Sequence, residues 1–111
     1  MWKIKRLVTV CSTHYLNKYD GACKFMHGHN WNITVYCKGN ELDECGMLLD
    51  FKEIKKSVNQ LDHKVLNEVE FLKNINPTAE NIAKAICEEI PYCYAVTVEE
   101  TKGCEVTYEQ E

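Results

Sequence analysis

Apolar and polar residues alternate near both ends of the chain, and a period of two residues is typical of a β-strand with one buried face. The first alternation is interrupted at Arg6 and Leu7, and the second begins with two histidines. Lys38-Gly39-Asn40 and Lys102-Gly103 supply residues that favour turns. The four strands predicted in this way cover residues 2–12, 27–37, 94–99 and 104–109.

The middle of the chain carries helical patterns. Asp50 and Glu53 have the spacing of a capping box, and the apolar residues behind them recur at helical intervals, which predicts a helix over residues 51–61. Thr78 is the expected N-cap of a second helix with its own apolar stripe, and Pro91 ends that helix. The predicted order is therefore strand, strand, helix, helix, strand, strand.

Strands at both ends with a helical pair between them favour an α+β fold, a four-stranded antiparallel sheet with two helices packed on one face. A length of 111 residues fits one domain over residues 1–111. Such a sheet leaves two edge strands unpaired, and proteins often cover their edges by oligomerising. We therefore expect this chain to form a homo-oligomer.

Charge and hydropathy restrict the function. Thirteen basic and seventeen acidic residues give a net charge of -4, which argues against nucleic acid as the main partner. The longest uncharged apolar stretch, Leu7–Cys11, is far below the ~20 residues that cross a bilayer. No charged-then-apolar leader precedes it. We expect a soluble, unsecreted, cytoplasmic protein with no membrane partner.

Seven cysteines could indicate a disulfide scaffold, but the number is odd and the apolar content suffices for a core. Reduced thiols fit better. Cys45 lies in a turn and carries no prediction. Five others lie in strand or helix patterns, where cysteine usually acts as a small buried hydrophobe: Cys11, Cys37, Cys87, Cys93 and Cys104.

Three of the four histidines, His14, His27 and His29, fall within sixteen residues. Residues two apart in a strand project from the same face, so His27 and His29 can point at one ion, and His14 can supply a third nitrogen. Three imidazoles with an open fourth position describe a catalytic zinc site. Gly28 would let the backbone approach the metal. The alternative is a polar loop with surface imidazoles.

Cys23 precedes His27 by four residues and is followed by Lys24. A neighbouring ammonium, metal or imidazole lowers the pKa of a thiol and so favours the reactive thiolate. The position beside a metal site makes Cys23 either a fourth ligand or a general acid or base. An idle loop cysteine is the alternative.

Two further features involve ionisable side chains. Asp62-His63 follows the first predicted helix, and a carboxylate near an imidazole fixes its tautomer and raises its basicity. Glu100 continues the inward face of the third strand, where a carboxylate could bind the paired N–H groups of a guanine-like ring. A surface helix end and a solvated strand end are the respective alternatives.

Six motifs in order along nearly the whole chain resemble those of the 6-pyruvoyltetrahydropterin synthase / 6-carboxytetrahydropterin synthase family. They are Val10-Cys-Ser-Thr-His14-Tyr-Leu16, Cys23-Lys-Phe-Met-His27-Gly-His29, Gly46-Met-Leu-Leu-Asp50-Phe51, Leu61-Asp62-His63-Lys-Val-Leu66-Asn67, Pro77-Thr78-Ala-Glu80-Asn81 and Val98-Glu-Glu100-Thr.

The resemblance implies a role for each matching position. It makes Cys23 the catalytic cysteine, Asp62 and His63 its partners in a proton relay, Glu100 the residue that binds the pterin, and Thr78 a neighbour of that ring. Val10 and Thr13 depart from the family pattern, and the loop from His14 to Cys23 is short. The implied zinc ligands are His14, His27 and His29.

The resemblance also implies the tunnelling fold, in which subunits join their sheets into a barrel and two trimers stack into a hexamer. The implied reaction converts 7,8-dihydroneopterin triphosphate to 6-carboxy-5,6,7,8-tetrahydropterin, acetaldehyde and triphosphate, a step toward queuosine. The three-residue spacer between Cys23 and His27 is similar to that of the 6-carboxy-forming enzymes. The alternatives are a 6-pyruvoyltetrahydropterin synthase and a noncatalytic zinc- or pterin-binding member.

Overall fold

The computed structural model describes the backbone of residues 1–111 and every side chain except that of Cys23. Four strands form one antiparallel sheet in the order β1-β2-β3-β4, which confirms the predicted fold class. The strands and helices are β1 (Trp2–His14), β2 (His27–Gly39), α1 (Phe51–Asn59), α2 (Ala79–Glu89), β3 (Cys93–Thr101) and β4 (Cys104–Glu109).

Both helices begin at the predicted caps. The Asp50 side chain accepts from the backbone N–H of Lys52, and the Thr78 side chain accepts from that of Asn81. Helix α1 ends at Asn59 rather than residue 61, because the chain tightens into a turn through residues 60–63. In the described residues no helix is long and apolar enough to span a membrane.

Strands β1 and β2 are thirteen residues each and pair along their whole length, so that His14 lies opposite His27 and Val10 opposite Trp31. Even-numbered residues of β1 and odd-numbered residues of β2 face the helices. We call this side of the sheet the inner face. It includes Val8, Val10, Trp31, Ile33 and Val35, which join α1 and α2 residues in one buried core.

Three sequence-based placements are wrong. Cys11 and Cys104 are exposed, because each falls on an outward position of an edge strand, whereas Cys37, Cys87 and Cys93 are buried as predicted. Tyr94 leaves the face of Val96, since the β2–β3 pairing passes from Ala95 directly to Cys93. This bulge places the Tyr94 ring against Tyr36, at 6.2 Å between ring centroids.

Candidate active site

Three histidine rings converge at the end of the sheet where β1 stops and β2 starts. His14 and His27 are cross-strand partners, and strand alternation puts His29 on the same inner face. The Nε2 atoms of His14 and His27 are 3.0 Å apart, and the three imidazoles offer ligand atoms within 4.8 Å of one another. The structure therefore brings the predicted ligand set together.

Backbone carbonyls set the tautomers of two of these rings. His14 Nδ1 lies 2.8 Å from the Pro77 carbonyl oxygen, and His27 Nδ1 lies 2.8 Å from that of Phe25. A carbonyl only accepts, so each Nδ1 carries a proton, and in the neutral form of the ring the Nε2 atom presents a lone pair. Two lone pairs that face each other at 3.0 Å repel unless a cation lies between them.

The burial of the three-histidine cluster also favours metal binding by these rings. Withdrawal from water lowers the pKa of His14 and of His29, which keeps both rings neutral and able to ligate. The His29 Nε2 atom is buried without a hydrogen-bond partner among the described residues. The Trp31 ring packs edge-on against His14 and His29, at 4.9 and 5.0 Å between centroids, and closes the inner side of the cluster.

The donor set fits zinc. Nitrogen ligands ~2.0–2.1 Å from one tetrahedral zinc stand about 3.3 Å apart, close to the spacing of His14 and His27 here. Three imidazoles, two of them oriented by backbone acceptors, could hold a metal ion and leave one coordination position open.

Glu100 faces this cluster from β3. Its Oε1 atom is 3.4 Å from His14 Nε2 and 3.8 Å from His29 Nε2, and its side chain is 30% exposed. These distances show that the Glu100 carboxylate points inward, as predicted from the alternation along β3. Glu100 lies where the β3–β4 register shifts between Glu99 and Thr101.

Thr78 shares a cavity with Glu100. The cavity has a volume of about 280 Å³, and Leu16 also lines it. The Thr78 hydroxyl accepts from Asn81 N at 3.2 Å as the cap of α2. A hydroxyl has a second lone pair and a proton, so capping leaves Thr78 able to contact a ligand.

Asp62 and His63 lie along the free edge of β1. Asp62 Oδ1 accepts from Cys11 N at 2.9 Å, and Asp62 Oδ2 is 3.6 Å from His63 Nε2. The backbone N–H of His63 donates to the Cys11 carbonyl at 2.7 Å, and His63 adopts a positive φ of 55°. These two bonds to the Cys11 backbone, one from the Asp62 side chain and one from the His63 main chain, hold the dipeptide against the strand, but the imidazole itself is 80% exposed.

The His63 ring does not join the three-histidine cluster within one protomer. It borders a cavity of about 330 Å³ lined by Cys11, Thr13 and Gly28, which occupy outward positions of β1 and β2. Gly28 consequently occupies an outward position, and the close backbone approach to a metal or ligand that its sequence position suggests stays a prediction. The absence of a side chain at Gly28 leaves room beside His63.

The structure leaves one predicted site residue without geometry and adds two main-chain groups that the sequence did not predict. The Cys23 side chain lies outside the described residues, so its predicted role has no geometry here. Sequence reasoning missed the carbonyls of Phe25 and Pro77, because a main-chain acceptor has no residue-type signature. The one available signal was that each residue lies in a motif that also carries a candidate side chain.

Comparisons with known proteins agree with this geometry. The family model described as 6-pyruvoyl tetrahydropterin synthase matches residues 3–111. A 6-carboxy-5,6,7,8-tetrahydropterin synthase from Bacillus subtilis is 29% identical over 93% of this chain and 74% of its own. A 6-pyruvoyl tetrahydrobiopterin synthase from Dictyostelium discoideum is 34% identical over 85% and 78%. The structure of Caenorhabditis elegans 6-pyruvoyl tetrahydropterin synthase is similar, with a TM-score of 0.76, 28% identity and coverage of 99% and 96%.

Proposed function

Because the chain belongs to the 6-pyruvoyl tetrahydropterin synthase family, we propose that it converts 7,8-dihydroneopterin triphosphate and water to 6-carboxy-5,6,7,8-tetrahydropterin, acetaldehyde and triphosphate. The observation that carries this proposal is the convergence of three imidazoles beside the Glu100 carboxylate. The reaction would serve queuosine biosynthesis in the cytoplasm.

His14, His27 and His29 would hold zinc through their Nε2 atoms, where it would act as a Lewis acid on a side-chain oxygen of the substrate. Pro77 and Phe25 support this ligation because their carbonyls keep the Nδ1 protons in place. Trp31 excludes water from the inner side of the cluster.

Glu100 and Thr78 would bind the pterin ring. A carboxylate can accept two parallel N–H bonds from the amidine-like edge of a pterin, and both residues line the same cavity. The partial exposure of Glu100 leaves its oxygens open to a ligand. Recognition of the ring by this pair would direct its substituted side chain toward the histidines.

Cys23 and His63 would transfer protons between the side chain and the ring, and Asp62 would orient His63. His63 borders a cavity whose lining includes the outward positions Cys11, Thr13 and Gly28, while the three histidines face inward. We therefore propose that the His63 of one protomer completes the site of a neighbour in a homo-hexamer of two stacked trimers. The edge of β4, and the part of the β1 edge that residues 62–65 do not cover, would provide the contacts between sheets.

Subunit complementation tests this shared site. Cys23→Ala and His63→Ala chains, each inactive alone, are co-expressed with different affinity tags, and mixed oligomers are purified. If each site takes Cys23 and His63 from different chains, random mixing leaves about a quarter of the sites intact. Mixed oligomers as inactive as either parent would show that both residues act within one chain.

The spacer between Cys23 and His27 favours the 6-carboxy product. It contains Lys24, Phe25 and Met26, and the Phe25 carbonyl anchors the His27 ring. Spacer length is thus linked both to the position of the thiol and to the orientation of a ligand. A displacement of ~1 Å in a proton-transfer group can change a rate by ~10²-fold, so the spacer can select which proton moves.

A 6-pyruvoyl product is the second candidate, favoured by the likeness to the Dictyostelium and Caenorhabditis proteins. The purified, zinc-loaded protein is incubated with 7,8-dihydroneopterin triphosphate, and products are identified by mass while acetaldehyde is measured with a coupled dehydrogenase. We expect 6-carboxytetrahydropterin and an equal amount of acetaldehyde. A 6-pyruvoyl product without acetaldehyde would contradict the spacer argument, and the Cys23→Ala variant provides the background.

A further inference from the structure

The chain that follows His14 is held by side chains rather than by another strand. Asn67 Oδ1 accepts from Tyr15 N at 3.1 Å, and Asn67 Nδ2 donates to Tyr15 O at 2.9 Å. Asn76 makes the same pair of bonds with Asn17, at 2.8 and 3.0 Å. Each carboxamide satisfies both backbone groups of one residue, as a neighbouring strand would. We call Asn67 and Asn76 the carboxamide clamp.

The clamp is joined directly to the anchor of His14. Pro77, whose carbonyl fixes the His14 ring, is the residue after Asn76. The Asn76 carbonyl in turn accepts from Thr78 N and from Asn81 Nδ2, both at 2.8 Å. Asn76 is therefore held by its main chain to the start of α2 and by its side chain to the segment that follows β1.

The clamp thus links the segment that follows His14 to the residue that anchors the His14 ring. The His14 backbone is fixed by its pairing with His27 on one side and by the clamp on the other. The His14 ring is fixed by Pro77, which lies between the clamp and α2. A movement of Asn76 relative to Asn17 would displace the Pro77 carbonyl from His14 Nδ1.

We propose that Asn76 is a positioning residue of the metal centre, which keeps the Pro77 carbonyl in register with His14 and so aims its Nε2 lone pair at the ion. This inference rests on the proposed zinc site. It predicts an asymmetry, since His27 is anchored by Phe25 and does not depend on the clamp. A clamp defect should weaken one ligand of three rather than abolish the site.

The test measures metal binding separately from activity. Asn76→Ala is compared with the wild type by zinc competition against a chromogenic chelator and by the visible absorption of the cobalt-substituted protein. Groups hydrogen-bonded to a metal ligand typically contribute 10–100-fold in metal affinity, and Asn76 acts on His14 through the Pro77 carbonyl, so we expect zinc to bind ~10-fold more weakly, at the low end of that range. We also expect the cobalt absorption bands to change shape, because one imidazole is reoriented.

Asp43→Ala provides a matched control for stability. Asp43 Oδ1 accepts from Cys45 N and Met47 N at 2.9 and 3.0 Å, in the loop beyond the far end of β2. This variant also loses two side chain–backbone bonds, but it should keep wild-type zinc affinity. Thermal unfolding of the metal-free variants shows whether their stability losses are comparable.

Asn76→Asp keeps the acceptor for Asn17 N but lacks the donor. We expect its zinc affinity to lie between that of the wild type and that of Asn76→Ala. If Asn76→Ala does not fold, the comparison is made with Asn76→Asp. Wild-type zinc affinity and an unchanged cobalt spectrum in both Asn76 variants would overturn the positioning role alone. A wild-type protein that binds no zinc would overturn the proposed site together with this inference.

Discussion

Asp62 is predicted to contribute to stability through one oxygen and to catalysis through the other. Oδ1 accepts from Cys11 N at 2.9 Å, and Oδ2 faces His63 Nε2 at 3.6 Å. Asp62→Asn can keep the first contact, because the amide oxygen also accepts, but it removes the negative charge. Asp62→Ala removes both contacts.

The expected stability change follows from these contacts. Loss of a partly exposed hydrogen bond costs about 1 kcal/mol, since water replaces some of the interaction. In a domain of this size that lowers the melting temperature by about 4 °C. The pair of Asp62 with the 80% exposed His63 ring contributes little to folding. Asp62→Ala should therefore be destabilised by this amount and Asp62→Asn by less.

The two variants should lose activity to the same extent, although their losses of stability differ. If the carboxylate orients His63 and stabilises its protonated form, both variants lose the contribution of a positioned acid–base group, ~10²-fold in kcat. Their KM should change little, because Asp62 is proposed to act through His63 whereas Glu100 and Thr78 are proposed to bind the pterin ring. Acetaldehyde release gives kcat and KM, and circular dichroism gives the melting temperature. Retention of kcat within roughly threefold by Asp62→Asn would refute the assigned role.

Three further predictions concern the metal and the thiol. Cys23→Ala should keep one zinc per chain, measured by atomic absorption, while turnover falls ~10²-fold or more. Loss of zinc in this variant would instead make Cys23 a ligand. A double His27→Ala, His29→Ala variant should lose zinc and activity together, and full metal occupancy would exclude the proposed site. Burial holds the pKa of His14 and of His29 in the folded protein below the ordinary histidine value of about 6.5. The unfolded chain therefore binds more protons, and the metal-free protein should lose stability as pH falls below that ordinary value. The loss should stop once pH is below the folded pKa, and a flat melting temperature between about pH 7.5 and 5.5 would contradict this.

Local patterns account for what the sequence could predict. Alternation in β1 and β2 is a property of neighbouring residues, so the shared face of His27, His29 and Trp31 follows from their spacing. The caps at Asp50 and Thr78 are local in the same way. These features are sufficient to derive the element order and the cluster.

The remaining features depend on contacts between distant segments. Residues 60–77 have little periodicity, yet they position Asp62 against β1 and bring Pro77 to His14. A bulge moves Tyr94 away from its expected face, because the extra residue changes the alternation. Cysteine tolerates both burial and exposure, so its type alone did not show that Cys11 faces outward.

The continuity of β2 restricts how this chain can change its length. His27 and His29 share one face with Trp31, Ile33 and Val35, without a break between ligands and core. Unless a β-bulge absorbs the change, a single-residue insertion or deletion within this run would turn every residue on one side of it to the opposite face. Either the ligands would then point to the outward side or the core would lose its packing. A change of odd length within this run therefore requires a β-bulge, of the kind that β3 contains at Tyr94, to keep both the ligands and the core on the inner face.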